Sequence, residues 1–191
     1  MAAFEHVTAL LSFVYALALT HLLARAAELV IARERVRFSG LLTLAMINAL
    51  TLVFINWLSI WDLRSVQSWD LASITINFLF AISLYVLCVF AAPRPPEEHD
   101  RVDLEDFFWR QRPYFYGTVF VNLVLSLAVN LDFLKSGNAS LFIKENMTVL
   151  PMFIPTMLAL TSRARWAQWA AGFSLLALLI AFTIIFSNTL K

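Results

Sequence analysis

The hydrophobic positions of this chain gather into six long stretches, separated by segments rich in charged and aromatic residues. A helix needs about 20 apolar residues to cross the hydrocarbon core of a bilayer, and each stretch approaches or exceeds that length. The pattern therefore predicts an all-α membrane protein. Its six transmembrane helices are expected at residues 5–31, 40–62, 70–92, 114–134, 146–162 and 166–188.

One connection between these stretches is long, the segment APRPPEEHDRVDLEDFFWRQRP. Its prolines and charges interrupt the apolar pattern. We therefore expect a first three-helix half over 1–92, a cytoplasmic linker over 93–113 and a second half over 114–191, together forming one membrane domain. Within the linker, DLEDFFWR (103–110) predicts a short amphipathic helix on the cytoplasmic surface, capped by its first Asp. An ordered loop with an aromatic edge is the alternative.

Basic residues are distributed unequally between the two sets of loops. If both termini lie outside the cytoplasm, ten of the fourteen Lys and Arg residues fall on the cytoplasmic side. Cytoplasmic loops are enriched in these residues, so we expect N- and C-termini in the periplasm. The six tryptophans agree, because all of them lie where this arrangement places a membrane interface.

Composition supports an integral membrane protein and excludes several other classes. Hydrophobic residues form 61% of the 191 positions and charged residues 14%, against about half and about a quarter in soluble domains. The net charge of +1 and the lack of a dense basic patch argue against nucleic acid as a partner. The single cysteine excludes an internal disulfide. The sequence carries no HExxH, GxSxG, P-loop or GxGxxG motif, so we expect no catalytic residue, metal site or cofactor.

Polar residues within the apolar stretches lie on common helix faces. Exposure of polar side chains to lipid costs free energy unless they meet hydrogen-bond partners or water. Those in the second and fourth stretches are Asn48, Thr51, Asn56, Asp62, Thr118, Asn122, Ser126 and Asn130. Two interpretations stay open. Such groups can bond neighbouring helices, at about 0.6–2 kcal/mol each, or they can line a hydrated pathway between the first, second and fourth helices.

The first helix carries a second polar group near its basic end. His21, Arg25 and Glu28 project within about 60° of one another, so they share a face. Asn48 and Thr51 of an antiparallel second helix are expected at the depth of His21. The group is either an interfacial salt bridge next to a hydrogen-bonded His, or a gating, proton-sensing or ligand-binding cluster, because His changes charge near neutral pH.

Two prolines interrupt the fifth stretch, Pro151 and Pro155. Each removes a backbone donor and frees a carbonyl one turn earlier, which predicts a kink or an unwound turn. Irregular backbone persists in a membrane only where it is buried in protein or lines a cavity. A simple kink and a functional hinge are the two interpretations.

The stretches FEHVTALLSFVYALALTHLL, NWLSIWDLRSVQSW, LYVLCVFAAPRP and DLEDFFWRQRPYF resemble a family of small six-helix bacterial inner-membrane proteins of unknown function. The resemblance covers roughly residues 4–116 and rests on aromatic and proline patterns. It implies location in a bacterial inner membrane. It implies no activity and no functional residues.

Together these patterns predict a channel- or transporter-like protein, a conduit or binding site for an ion or small polar solute, lined by the first, second and fourth helices. The alternative is a non-transporting accessory, assembly or sensory subunit in which the polar faces only hold helices together. The expected partners are the lipid bilayer, the solute, and either a second copy or another membrane protein.

Overall fold

The computed structural model describes residues 2–66, 68–96 and 101–187, which fold almost entirely into helices. Residues 97–100 of the predicted linker lie outside this range. Seven α-helices are present in the described part of the chain: α1 (Ala2–Ile31), α2 (Gly40–Ser59), α3 (Leu71–Ala91), α4 (Leu104–Lys135), α5 (Ala139–Val149), α6 (Phe153–Thr161) and α7 (Arg165–Ser187). Short 3-10 turns cover Arg33–Arg35, Ile60–Ser65 and Leu150–Met152, and two-residue strands β1 (Val36–Arg37) and β2 (Val102–Asp103) complete the fold.

Five helical segments are long and apolar enough to cross a membrane: Phe4–Ile31, Gly40–Ser65, Leu71–Ala91, Leu104–Lys135 and Arg165–Ile185. Large apolar side chains are exposed along their outer faces, among them Phe13, Phe54, Val121 and Phe173. A surface of this kind is compatible with contact with lipid and unusual for a soluble protein. The all-helical class is confirmed, and the chain has the long apolar helices of a membrane bundle.

The predicted fifth span over 146–162 is not one helix. It is replaced by α5, the 3-10 turn at Leu150–Met152, and α6. The break coincides with Pro151, whose ring cannot continue an α-helix without a clash one turn earlier. Pro155 causes no second break because it lies in the first turn of α6, where backbone N–H groups have no partner within the helix.

The broken segment nevertheless follows α4 over most of its length, in the antiparallel direction. Near one end, Asn130 Nδ2 donates to Asn146 Oδ1 at 3.2 Å. Near the other, Arg112 donates to the carbonyl oxygen of Ser162. The two α4 positions are about 27 Å apart at 1.5 Å per residue. Together α5 and α6 therefore extend over the same length as an unbroken helix would.

The predicted surface helix at 103–110 is not separate either, because α4 runs without interruption from Leu104 through Pro113 to Lys135. The Asp103 cap is present, and its side chain accepts from the backbone N–H groups of Glu105 and Asp106. Phe108 is only 2% exposed and belongs to the protein core. Burial of this first part of α4 against the bundle, rather than on a membrane surface, explains why it continues straight into the span.

The helices pack around α3 and α4, which contact each other along their length. On one side α1 and α2 pack against α3, and on the other α5 and α6 pack against α4. Helix α7 fills the position between α2 and α6. The two predicted three-helix halves are thus in broad contact with each other.

The bundle end at which α1 and α3 finish and α4 and α7 begin is called here the arginine end. There β1 pairs in parallel with β2, and Arg37 Nη1 lies 2.8 Å from Asp103 Oδ2. Backbone N–H donors at Asp106 and Glu105, followed by Arg37, hold the pKa of Asp103 below its ordinary value. Ser39, the cap of α2, donates to Glu105 at 2.6 Å. These contacts fasten the α1–α2 connection to the start of α4.

Two buried side chains complete the end of α6. Arg112, 7% exposed, donates to the carbonyl oxygens of Ala159 and Ser162. Gln168 of α7 donates to the same two oxygens, at 3.1 and 2.7 Å. The last carbonyls of a helix have no partner within it, so donors from α4 and α7 satisfy them here.

We expect Arg112→Met to lower the free energy of unfolding by about 2 kcal/mol, because it removes charged hydrogen bonds to buried carbonyls. The measurement is unfolding of the purified protein in detergent by circular dichroism. Arg110→Met is the matched control, since its ion pair with Asp106 joins side chains that are 70% and 64% exposed and should contribute less than about 1 kcal/mol. Equal losses in the two variants would contradict this role of Arg112.

Candidate functional site

A cavity of about 70 Å³ lies inside the bundle among α2, α3, α4, α5 and α7. It has room for a few water molecules. Helix α1 contributes only Tyr15, so the helices around the cavity differ from the first, second and fourth expected from the sequence. Its polar lining consists of Tyr15, Asn56, Ser59, Asp62, Asn77, Asn122, Ser126, Asn130 and Glu145.

Four asparagines of this lining turn their amide nitrogens into the protein. Asn56 donates to Leu52 O, and Asn77 donates to Ser73 O. Asn122 donates to Ser83 Oγ, and Asn130 donates to Asn146 Oδ1. The four distances are 2.7–3.2 Å. An amide that donates through nitrogen keeps its oxygen available as an acceptor. None of these four oxygens accepts a hydrogen bond from a described residue. The cavity is therefore rich in acceptors.

Two carboxyl groups face the same cavity. Asp62 belongs to the 3-10 turn after α2, and Glu145 lies on α5. Glu145 is only 6% exposed, and its Oε1 accepts no hydrogen bond from the part of the chain that the structure describes. Lys144 lies close enough to interact electrostatically with both carboxyl groups. A buried acidic group with an unused acceptor is costly unless a donor or a cation meets it.

The sequence-based site omitted four polar lining residues: Tyr15, Ser59, Asn77 and Glu145. The predicted fifth span began at residue 146, so Glu145 was assigned to an outer loop. Its spacing to Val149 and Met152, which also line the cavity, is that of one helix face. Extending this helical spacing from Met152 back towards the N-terminus identifies Glu145 from the sequence.

Asn48, Thr51 and Thr118 lie away from the cavity. Asn48 is 1% exposed and donates to Leu44 O and, across to α7, to Gly172 O at 3.1 Å. The helices are close at this point, because a Cβ on Gly172 would stand 2.5 Å from Leu44 Cδ2. Thr51 and Thr118 donate to carbonyls one turn back on their own helices.

The polar face of α4 thus has two parts. Asn122 bonds Ser83 on α3 and Asn130 bonds Asn146 on α5, so both connect helices. Asn122, Ser126 and Asn130 also line the cavity. The polar face of α4 therefore both bonds neighbouring helices and lines a cavity, so each of the two interpretations has a physical basis.

The His21 group lies elsewhere. Arg25 and Glu28 form an ion pair at 2.8 Å. The ring of His21 is 6.0 Å from that of Tyr85, and the side chain is partly exposed. His21 and Arg25 line a groove near the arginine end rather than the internal cavity. Asn48, the partner expected for His21, is bonded to α7 instead.

Pro151 lies in the 3-10 turn, next to Met152 of the cavity lining, and Pro155 is buried in α6. The predicted helix break is therefore present beside the cavity. Motion about it stays a prediction. Among the described residues, no group of three or more His, Cys, Asp or Glu side chains could hold a metal ion.

The Ser83–Asn122 hydrogen bond should couple α3 and α4 by about 0.6–1.7 kcal/mol. A double-mutant cycle with Ser83→Ala and Asn122→Ala, measured as unfolding in detergent, tests this value. The control cycle combines Ser83→Ala with Thr118→Val. Its coupling energy should be near zero, because Thr118 bonds its own helix. Additive effects of Ser83→Ala and Asn122→Ala would mean that the bond contributes nothing.

Comparison with known proteins adds no relative from which a role could be transferred: no protein-family model, curated protein or solved structure matches the chain.

Proposed function

We propose that this chain is a membrane protein that binds a monovalent cation in the cavity between α2, α3, α4, α5 and α7, as a conduit or as a binding site. The observation that carries the proposal is Glu145, a nearly fully buried carboxyl group with an oxygen that no described residue bonds. Transfer of a carboxylate from water into a protein interior costs several kcal/mol unless an opposite charge compensates. A bound cation would supply that charge.

The chemistry of the lining favours a cation over an anion or a neutral solute. Amide oxygens from α2, α3 and α4 accompany the two carboxyl groups. Oxygen acceptors of these types are the ligands of hard cations. An anion would meet few donors, because the asparagine nitrogens already bond the protein.

Charge balance favours a monovalent ion. Lys144 interacts electrostatically with both carboxyl groups, and Arg64 interacts with Asp62. A divalent ion would add two positive charges to a cluster that already has basic neighbours, which a low-dielectric interior disfavours more than the single charge of a monovalent ion.

We further infer six crossings, with α5 and α6 together forming the fifth, because this segment follows α4 in the antiparallel direction. In this topology the arginine end faces the cytoplasm and both termini lie outside, in agreement with the excess of Lys and Arg at that end. The sequence resemblance favours a bacterial inner membrane. At the break, Val149 and Met152 are buried against the bundle, and irregular backbone is tolerated in a membrane where protein packs against it.

The second candidate is an accessory, assembly or sensory subunit that transports nothing. It is favoured by the hydrogen bonds of Asn48 to Gly172 and of Asn122 to Ser83, which use polar groups to hold helices together. In that case the protein would operate with a second copy or with another membrane protein.

The test is cation binding and flux with Glu145→Gln. Isothermal titration of the detergent-solubilised protein with Na⁺ and K⁺ gives binding, and ion-sensitive dyes in proteoliposomes give flux. Replacing the carboxylate removes the charged ligand but keeps the shape, so we expect binding to weaken about tenfold or more, a change of at least about 1.4 kcal/mol.

Glu5→Gln is the matched control, because Glu5 is exposed on α1 and does not line the cavity. Binding without flux would identify a binding site and exclude a conduit. If neither Na⁺ nor K⁺ binds the native protein, or if Glu145→Gln and Glu5→Gln bind equally, the cation proposal is wrong. Co-purification of a fixed membrane partner would then favour the accessory role.

A further inference from the structure

Two adjoining grooves on the outside of the bundle are not used by the cavity. The first, called here the basic groove, has a volume of about 740 Å³ and lies at the arginine end, between the ends of α1 and α3 and the start of α4. Its charged lining is His21, Arg25, Arg94, Arg101, Asp103, Asp106 and Arg110. Among the described lining residues, four arginines stand against two aspartates, so this lining has a positive net charge.

The four arginines differ in the ion pairs that they form with described residues. Arg25 is paired with Glu28, and Arg110 with Asp106. Arg94 and Arg101 are exposed and form no ion pair with a residue that the structure describes. Arginine presents several N–H donors in a fixed planar arrangement that matches the oxygens of a phosphate group. The groove is therefore suited to a phosphate.

The second groove, called here the apolar groove, has a volume of about 680 Å³ and runs between α3 and α4. It is almost wholly apolar, with Leu79, Val86, Tyr114 and Leu125 along its walls. Phe90 lines both grooves, so the two lie next to each other. A region lined by arginines thus adjoins an apolar groove on the surface of the bundle.

The length of the apolar groove matches one leaflet of a bilayer. From Leu79 to Phe90 along α3 the rise is about 16 Å at 1.5 Å per residue. The hydrocarbon core is about 30 Å thick, so one leaflet measures about 15 Å. An acyl chain whose headgroup lies at the arginine end would lie along the whole groove.

We propose that these grooves form a binding site for one anionic phospholipid. Its phosphate is bound by Arg94 and Arg101, and one acyl chain lies between α3 and α4. The adjoining apolar groove favours a lipid over free phosphate, which would leave that groove unfilled. Positive charge selects an anionic headgroup over a zwitterionic one.

Gly117 offers a way to close the apolar groove without disturbing the fold. It lies on α4 in the groove wall, and a Cβ added there would meet no atom within 4 Å. Gly117→Leu should therefore fill the space of the acyl chain, and leucine is also a better helix former than glycine. Gly117→Ala adds a single methyl group and is the matched control.

The experiment reconstitutes the protein in vesicles of equal parts phosphatidylglycerol and phosphatidylcholine and identifies the retained lipid by native mass spectrometry. The native chain should retain one phosphatidylglycerol. Arg94→Gln with Arg101→Gln should reduce the retained fraction about fivefold for each charge removed. Gly117→Leu should reduce it as well, whereas Gly117→Ala should not. Arg33→Gln, an exposed arginine at the same end but outside the groove, should leave it unchanged.

A second arm titrates inorganic phosphate in detergent and distinguishes the two phosphate sources. If inorganic phosphate binds the native chain but the native chain retains no phosphatidylglycerol, the site takes a soluble anion and the lipid proposal is wrong. Equal retention of phosphatidylcholine and phosphatidylglycerol by the native protein also overturns it, independently of any variant. Circular dichroism of each variant confirms folding before its lipid is measured.

Discussion

The hydrogen bonds that Arg112 and Gln168 donate to the end of α6 are the interaction on which the second half of the bundle depends. The last carbonyl groups of α6, at Ala159 and Ser162, have no partner within the helix. Arg112 of α4 and Gln168 of α7 donate hydrogen bonds to both of them. Because these bonds fix α6 between its neighbours, the chain can contain a break that an isolated apolar helix could not.

The break in turn allows α5 to be more polar than a membrane helix normally is. A continuous apolar span would have no place for Lys144 and Glu145. Packed against α4 and joined to it through Asn130 and Asn146, α5 brings Glu145 to the cavity instead of to lipid. Glu145, Pro151 and the hydrogen bonds from Arg112 to α6 therefore belong to one arrangement, although more than 30 residues separate Arg112 from Glu145.

The sequence predicted the helical class and most helix ends because both follow from hydrophobic runs of sufficient length. It did not predict that α4 is continuous, since Pro113 and the charged residues before it resemble a boundary. Burial of Leu104 and Phe108 against the bundle favours helix in this part of the chain. Of the predicted polar faces, Asn56, Asp62, Asn122, Ser126 and Asn130 line the cavity, whereas Asn48, Thr51 and Thr118 do not. Periodicity does not reveal which helix lies opposite, so Asn48 was placed near His21 although its partner is Gly172 on α7. The hydropathy pattern does not indicate Glu145, because the predicted fifth span begins one residue after it.

The pairing of β1 with β2 has a consequence for the order of assembly. Val36 and Val102 are partners although 66 residues separate them, and Arg37 bonds Asp103 over the same separation. At a synthesis rate of about 5–20 residues per second, the first strand waits several seconds for the second to emerge. During that interval α1, α2 and α3 are the only long helices available to pack together. The small sheet therefore forms after α1, α2 and α3 have been made. It joins the connection between α1 and α2 to the half of the protein made later.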